Sequence, residues 1–317
     1  MRRMIAIALL FLSLGARAAD VRYANGNVAL GAELLLPAGD GPFPAAVILQ
    51  GSGASDRTNA WARGISDLLV ANGLAVLLTD KRADWQTASF DDLAGDALAG
   101  VRLLRTRGEI DRTRIGLVGL SQGGWVAPLA AARTNDVAFV IDIVGATVSY
   151  AEQTFVEMTN TAKQAGVDVE EVVRLNRAAG RYLINGDWNA YAAARERALA
   201  GPAKKVAAGF PGKQDAKIWT FMRSVLAYDP MPYWTVLEQP VLFVFGELDE
   251  RDNVPVAESV RRIEFALRAA AKKNYEVAVI PNVGHALMIE QNKFAPEFTA
   301  KLASWLAPFR RAPSAAR

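Results

Sequence analysis

The chain of 317 residues contains no cysteine and a single histidine, His285. The absence of cysteine excludes disulfides, cysteine nucleophiles and metal sites built from thiolates. With one imidazole, no thiolate and no glycine-rich phosphate or dinucleotide fingerprint, the sequence predicts neither a metal nor a cofactor. Any reaction that needs an imidazole base must therefore use His285.

An N-terminal leader is indicated by residues 1–18. They combine a basic start (Arg2, Arg3), an apolar stretch over residues 5–14 and an A-x-A triplet that ends at Ala18. This pattern predicts a secretory signal peptide cleaved after Ala18, and hence a periplasmic or secreted protein. The apolar stretch is too short to span a bilayer, so no stable membrane anchor is expected.

The rest of the chain has no excess of either positive or negative charge. Residues 1–18 hold three arginines and no acid, so basic and acidic residues balance at 33 each without them. Such a balance gives no reason to expect nucleic acid as a partner. The hydrophobic fraction of 51% favours one large soluble domain, or one domain with a sizeable insertion.

Short apolar runs alternate with helical patterns through most of the chain. Their length and β-branched content favour strands, and alternation of strands with helices is typical of βαβ units in a largely parallel sheet. The predicted strands are residues 28–36, 45–49, 74–79, 115–118, 137–144, 241–245 and 275–280, and the predicted helices are residues 60–72, a helix capped by Ser89, 124–133 and 257–272.

Residues 148–235 interrupt this alternation with weak strand signals and many alanines and charged residues. We predict a mainly helical lid between the strands predicted at residues 137–144 and 241–245, which divides a core of residues 19–147 and 236–309. Residues 310–317 are predicted to form a flexible tail. The aromatic residues of the lid either pack its interior or line a pocket above the active site. They are Phe155, Tyr182, Trp188, Tyr191, Trp219, Phe221 and Tyr228.

A candidate nucleophile, Ser121, lies in a G-x-S-x-G pattern over residues 119–123, after a predicted strand and before a predicted helix. A sharp strand-to-helix turn of this kind presents the serine hydroxyl, and its glycines avoid clashes. A hydroxyl is a weak nucleophile, and it needs a base and donors that stabilise an oxyanion. His285 follows the strand predicted at Tyr275–Ile280, comes last in the order serine, acid, histidine, and is the predicted base.

The acid that would orient His285 is expected in the loop after residues 241–245. Asp249 is favoured because a residue close to the strand end is better fixed, and Asp252 is the alternative. Glu247 and Glu250 lie nearby, and a solvated loop is favoured there over a calcium site.

The two backbone donors of an oxyanion hole are expected from different loops. One is the N–H of Gln122, which follows the nucleophile. The other is expected from the glycine-rich loop after residues 45–49, with Ser52 as first choice and Gly53 as second.

These motifs resemble the α/β-hydrolase superfamily, and within it bacterial esterases and S33/S9-like serine hydrolases with a helical lid. The resemblance runs from about residue 25 to residue 307 and is weakest over the lid. The matching segments are Gly51-Ser52-Gly53 with Asp56-Arg57, Asp80-Lys81-Arg82, residues 89–94, 119–124 and 246–249, and Gly284-His285.

The sequence departs from the family pattern at three places. Gln50 stands where the family usually has histidine, and the stretch after Arg82 is shortened over residues 83–87. The acid loop before Val254-Pro255 is lengthened, which keeps Asp252 as an alternative to Asp249.

The resemblance implies an α/β-hydrolase fold, with a mostly parallel sheet of about eight strands flanked by helices and a helical lid. It also implies ester or amide hydrolysis through an acyl-enzyme on Ser121. Our first hypothesis is a carboxylesterase acting on small or medium acyl groups. The serine disfavours epoxide hydrolases and dehalogenases, whose related folds place an aspartate there.

Two alternatives stay open. The first is a serine peptidase or aminopeptidase of the same fold acting on short peptides, in which Glu152, Glu157 or Arg223 could bind a substrate amine or carboxylate. The second is a non-catalytic homologue that uses the lid as a ligand pocket.

Overall fold

The computed structural model describes residues 17–310, and an eight-stranded sheet forms its centre. The strands of this sheet are β1 (Arg17–Asn25), β2 (Val28–Leu36), β3 (Phe43–Leu49), β4 (Ala75–Thr79), β5 (Ile110–Leu120), β6 (Phe139–Ile143), β7 (Val241–Gly246) and β8 (Tyr275–Ile280). Their spatial order is β1-β2-β4-β3-β5-β6-β7-β8. The β1–β2 and β2–β4 pairs are antiparallel, and all pairs from β4–β3 to β7–β8 are parallel.

Helices cover both faces of the sheet and connect its strands. They are α1 (Ala60–Ala71), α2 (Phe90–Arg105), α3 (Gly123–Ala131), α4 (Tyr150–Gln164), α5 (Val169–Asn185), α6 (Trp188–Ala200), α7 (Lys204–Ala208), α8 (Ile218–Val225), α9 (Met231–Trp234), α10 (Val256–Ala269) and α11 (Pro296–Leu306). Helices α2, α3 and α10 pack on one face, and α1 and α11 pack on the other.

The central strands are buried because helices cover them on both sides. All residues of β3 are buried, and their side chains alternate between two apolar clusters. Ala45 and Val47 belong to the cluster under α2 and α3, whereas Ala46 and Ile48 belong to the cluster under α1 and α11. A continuous apolar run is therefore the expected sequence of such a strand.

Local signals at helix starts agree with this arrangement. Ser89 caps α2 with a capping box, in which its side chain accepts from the Asp92 N–H and the Asp92 carboxylate accepts from the Ser89 N–H. Asn59 caps α1 in a similar way through the Ala62 N–H. These caps fix where the chain leaves the loops at the carboxyl ends of β3 and β4.

The segment between β6 and β7 contains helices α4 to α9 and no strand of the sheet. Helices α5, α6 and α7, with parts of α4 and α8, share an apolar cluster distinct from the two clusters of the sheet. It is centred on Tyr182, Tyr191 and Trp219.

The predicted fold class is confirmed, including the number of strands and their mostly parallel order. Strand β1 was not predicted, because none of its residues is buried and an exposed edge strand has no apolar run. The hairpin of β9 (Met288–Glu290) and β10 (Lys293–Phe294) and helix α11 were not predicted either. The predicted strand at 115–118 lies within the buried stretch of residues 115–120 in the longer β5.

Most of the predicted signal peptide lies outside the described residues, and only Arg17 and Ala18 are part of β1. The predicted tail lies outside them as well, except for Arg310, whose guanidinium donates to the Ala303 carbonyl at 2.8 Å. Over residues 17–310, no helix is both long and apolar enough to cross a membrane.

Candidate active site

Ser121 sits in the turn between β5 and α3 with a positive φ of 51°. Its N–H donates to the Ile143 carbonyl at 2.9 Å, which fixes the turn against β6. The turn brings backbones so close that a methyl group at Gly119 would lie 2.4 Å from the Gly123 oxygen, and one at Gly123 would lie 2.2 Å from the Leu49 oxygen. The glycines are required by this crowding, and the serine accepts strained backbone geometry.

His285 joins Ser121 to Asp249 in a chain of two hydrogen-bond contacts. Its Nε2 lies 2.9 Å from the Ser121 Oγ, and its Nδ1 lies 2.7 Å from the Asp249 Oδ2. Helix α1 supports the histidine loop, since the Trp61 ring lies 5.8 Å from the His285 ring and the Trp61 Nε1 donates to the Ala286 carbonyl at 3.1 Å. The structure thus brings together three side chains that are far apart in the sequence.

The acid loop places Asp249, and not Asp252, against His285. Asp249 is fully buried in the 3₁₀ helix Glu247–Arg251 that follows β7. Asp252 is exposed, and its Oδ1 accepts from the Gln164 Nε2 at 2.6 Å. The two glutamates have structural partners instead, since Glu247 accepts from the Asn282 N–H at 3.0 Å and Glu250 from the Ala257 N–H at 2.7 Å.

The residues that carry the candidate oxyanion donors line the same cavity as the nucleophile Ser121. Ser52, Gly53, Ser121 and Gln122 all line one cavity. Within residues 17–310, the backbone N–H groups of Ser52, Gly53 and Gln122 donate to no protein acceptor. They are therefore open to a ligand, and the choice between Ser52 and Gly53 stays a prediction.

Gln50 anchors the loop that carries Ser52. Its buried side chain donates to the Thr79 carbonyl at 2.8 Å and to the Asp56 carbonyl at 3.2 Å, and it accepts from the Ser55 hydroxyl at 3.0 Å. The glutamine that replaces the usual histidine therefore ties both ends of the loop to β4.

Arg57 and Asp80 provide a second anchor for this loop. The Arg57 guanidinium binds both oxygens of Asp80, at 3.0 Å from Nε to Oδ1 and 2.6 Å from Nη2 to Oδ2, and donates to the Ala32 carbonyl at 3.0 Å. The neighbouring carboxylate raises the pKa of Arg57 further. Arg57 and Asp80 thus hold the loops and do not line the cavity.

The cavity has a volume of about 670 Å³ and lies between the sheet and the helical segment 148–235. Such a volume is in the range of small-molecule sites. Its apolar wall is formed by Trp85, Trp125, Tyr150, Met158, Ile218, Phe221 and Met222.

Two charged side chains also line the cavity. Glu157 lies on α4. Desolvation raises the pKa of its carboxyl, and the carboxyl is close enough to His285 and Asp249 to interact electrostatically with them. Arg195 on α6 donates through Nε to the Phe210 carbonyl at 3.0 Å. In the described part of the chain, neither side chain forms an ion pair. The other two residues predicted to bind substrate have different partners. Glu152 accepts from the Ser149 N–H in the capping box of α4 and pairs with Arg262, and Arg223 donates to the Leu183 carbonyl.

The predicted aromatic residues of residues 148–235 divide between both expected roles. Tyr182, Trp188, Tyr191 and Trp219 pack together inside the segment. Phe221 lines the cavity, and Tyr228 joins the sheet-facing cluster by donating to the Trp125 carbonyl at 2.7 Å. Phe155 is 42% exposed.

Sequence reasoning missed Asp142, a carboxyl at the end of β6 that is 1% exposed and lies behind the serine turn. Its Oδ1 accepts from the Gly145 N–H at 3.0 Å, and burial raises the pKa of this carboxyl well above its ordinary value. The signal in the sequence that could have indicated Asp142 is a single acidic residue inside an otherwise apolar strand. Across the described residues, no group of three or more His, Asp or Glu side chains is placed to hold a metal.

The sheet order and the serine turn are those of an α/β-hydrolase. The model of the alpha/beta hydrolase family matches residues 46–301, and the chain belongs to that family.

Known relatives and structures agree with this assignment. Esterase EstD of Thermotoga maritima is 24% identical over 277 residues, which cover 83% of this chain; the chain spans 59% of the length of that relative. An esterase of Pyrococcus furiosus has the same fold, with a TM-score of 0.58 at 16% identity over 98% of this chain and 97% of the other. Dienelactone hydrolase of Anabaena variabilis gives a TM-score of 0.55 at 16% identity over 93% and 99% of the two chains.

Proposed function

We propose that this protein is a serine carboxylesterase that forms an acyl-enzyme on Ser121. The observation that carries the proposal is the continuous contact from the Ser121 Oγ through His285 to the buried Asp249, at 2.9 and 2.7 Å. Esterase-like family membership supports the same conclusion.

In this reaction the Ser121 Oγ attacks the ester carbonyl carbon while the His285 Nε2 takes the hydroxyl proton. Asp249 holds the imidazole through Nδ1 and stabilises the imidazolium that forms. The N–H of Gln122 and the N–H of Ser52 would donate to the oxyanion. The imidazolium then protonates the leaving alcohol, and a water activated by the same imidazole hydrolyses the acyl-enzyme.

The cavity supports small or medium acyl groups as substrates. Its walls are mainly aromatic and aliphatic, and its volume of about 670 Å³ suits a small molecule better than a folded protein. The signal-peptide pattern of residues 1–18 supports an exported enzyme as a further part of the proposal.

A fluorescent fluorophosphonate, followed by mass spectrometry of the labelled peptide, tests the proposal directly. We expect covalent labelling at Ser121 that is lost in His285→Ala, together with hydrolysis of short-chain esters. A folded protein that takes up no label and cleaves no ester would contradict the proposal and favour a non-catalytic ligand-binding role.

A second candidate function is an aminopeptidase or amino-ester hydrolase, and it is favoured by one observation. Glu157 puts a carboxylate without an ion-pair partner into the cavity beside His285, within the described chain. A carboxylate there could bind the protonated amine of an aminoacyl group.

Two esters of equal size, one with a free α-amino group and one without, separate the candidates. If the amine is recognised, Glu157→Gln should lower kcat/KM for the amino ester by about tenfold or more and leave the neutral ester unchanged. Glu196→Gln, at an exposed position on α6, is the matched control. A wild-type preference for the neutral ester would discard the second candidate.

A further inference from the structure

Lys81 links the two segments that carry the candidate oxyanion donors. It follows β4, and its Nζ donates to the Gly51 carbonyl oxygen and, at 2.8 Å, to the Gln122 Oε1. Its own N–H donates to the Ser55 carbonyl at 2.9 Å, so the lysine backbone is fixed to the same loop. One ammonium group therefore holds the loop after β3 and the first residue after the nucleophile.

The Gly51–Ser52 peptide unit explains why this contact matters for chemistry. In a trans peptide, the C=O and the N–H of one unit point in opposite directions. When the ammonium binds the Gly51 oxygen, the Ser52 N–H of the same peptide unit is directed away from the ammonium, and Ser52 lines the cavity. A methyl group at Gly51 would lie 3.7 Å from the Ser121 Cβ, so this peptide is adjacent to the nucleophile.

An ammonium bound to a carbonyl also polarises the peptide, which strengthens its N–H as a donor. Gln122 lies at the start of α3, where the helix dipole adds positive potential. Both effects favour negative charge at the place where an oxyanion would form.

The surroundings of Lys81 are unusual for a structural lysine. Among residues 17–310, no carboxylate forms an ion pair with it, and the nearest ring is that of Trp85, with its centroid 5.9 Å from Nζ. Burial lowers the pKa of Lys81 to about 7. A desolvated cation without a carboxylate partner destabilises the fold, and the loop already has anchors in Gln50 and Arg57.

We infer that Lys81 is a positioning residue for the oxyanion hole, acting through the Gly51–Ser52 peptide and the Gln122 side chain. The inference rests on the proposed serine hydrolase function. It assigns Ser52, and not Gly53, as the donor on the β3 loop, because the Ser52 N–H belongs to the peptide that the ammonium binds.

The test compares Lys81→Met with Lys301→Met, a lysine on α11 that is remote from the cavity. We expect Lys81→Met to lower kcat for a short ester by about 100-fold with KM little changed, as for loss of an oxyanion donor. A boronic acid, whose adduct with Ser121 carries a tetrahedral oxyanion, should lose affinity by a similar factor. Lys301→Met should change none of these values.

Gln122→Ala gives a second, milder variant should Lys81→Met fail to fold. It removes one acceptor of the ammonium and keeps the backbone N–H, so kcat should fall by about tenfold with KM unchanged. In the double variant, the loss should be no larger than in Lys81→Met alone.

The outcomes separate the inference from the proposed function. If the wild-type protein neither labels nor hydrolyses esters, the proposed function fails. If the wild-type protein is active and Lys81→Met keeps its kcat, or KM rises while kcat and boronic acid affinity stay constant, the inference is overturned. If Lys81→Met does not fold, an unchanged kcat in Gln122→Ala overturns the inference about Lys81.

Discussion

The sheet and the helical segment 148–235 differ in what fixes their side chains. Ser121, Asp249 and His285 each follow a strand of the sheet, and the strands β3 to β7 are buried under helices on both faces. The helical segment packs around its own smaller cluster and contributes cavity walls through α4, α6 and α8. Reacting groups need fixed positions, whereas an apolar wall tolerates change.

Helix α4 connects the helical segment to the loop that carries Asp249. Gln153 donates to the Asn253 Oδ1 at 2.7 Å, and Gln164 donates to the Arg251 carbonyl at 2.8 Å, so α4 holds the loop that carries Asp249. The same helix places Glu157 in the cavity. The proposed division between catalysis at the strand ends and substrate selection by the helical segment is best tested on α8, which lines the cavity and, among the described residues, has no hydrogen bond to the acid loop.

The largest expected effect is at the sheet side. Ser121→Ala and His285→Ala should each lower kcat by about a millionfold, because the nucleophile and the base act as a unit. Steady-state ester hydrolysis measures the loss, and an unchanged thermal unfolding midpoint shows that the fold is kept. Near-normal turnover in either variant would break the assignment of catalysis to the strand ends.

The acid loop offers a matched pair of substitutions. Asp249→Asn should lower kcat by about 10⁴-fold, since the amide fixes the wrong tautomer of the imidazole. Asp252→Asn should have little effect, because that side chain is exposed and binds Gln164. Kinetics on the same ester decide between them, and a larger loss in Asp252→Asn would contradict the observed geometry.

A smaller and more selective effect is expected at α8. Ile218→Trp fills the cavity, so kcat/KM for a long acyl ester should fall by at least about tenfold while an acetyl ester is cleaved nearly as before. Thr220→Trp, at an exposed position on the same helix, is the control. Equal losses for both esters would show that the helical segment also supports the chemistry.

The smallest expected effect is on the free energy of unfolding, and it comes from Asp142, a buried residue of the sheet. The pKa of Asp142 is raised in the folded state, so the folded protein holds a proton that the unfolded chain has lost. Stability should therefore fall with rising pH, by up to about 1.4 kcal/mol per pH unit, from the ordinary aspartate pKa to the raised one. Below the ordinary value the protonated carboxyl has no such effect.

Asp142→Asn keeps an acceptor for the Gly145 N–H and removes the titratable carboxyl. The fall in stability with rising pH should therefore be absent in this variant. Urea unfolding across pH, with Asp67→Asn at an exposed position of α1 as control, measures the difference. An identical pH dependence in wild type and Asp142→Asn would show that the buried carboxyl does not titrate as its surroundings require.

The sequence predicted the parallel sheet because buried strands need uninterrupted apolar runs, as in β3 and β7. It predicted Ser121 because the serine turn brings backbones so close that only glycine fits at 119 and 123. Strand β1 escaped prediction because an exposed edge strand carries no such constraint.

The wall of the cavity could not be predicted in the same way. Phe221 and Trp219 lie two positions apart on α8, yet one lines the cavity and the other packs inside the helical segment. Trp219 and Phe221 both belong to the apolar side of α8, and helix packing decides which part of that side meets which neighbour.

By itself, the sequence determined the fold class, the nucleophile turn and the identity of the one imidazole that could serve it. Those features depend on local sterics, on strand burial and on the presence of a single histidine. Only the tertiary structure decided that Asp249 and not Asp252 meets His285, that Lys81 spans the Gly51 carbonyl and the Gln122 side chain, and that Glu157 enters the cavity. These contacts join segments far apart in the chain, and their distances follow from how loops and helices pack on the finished sheet.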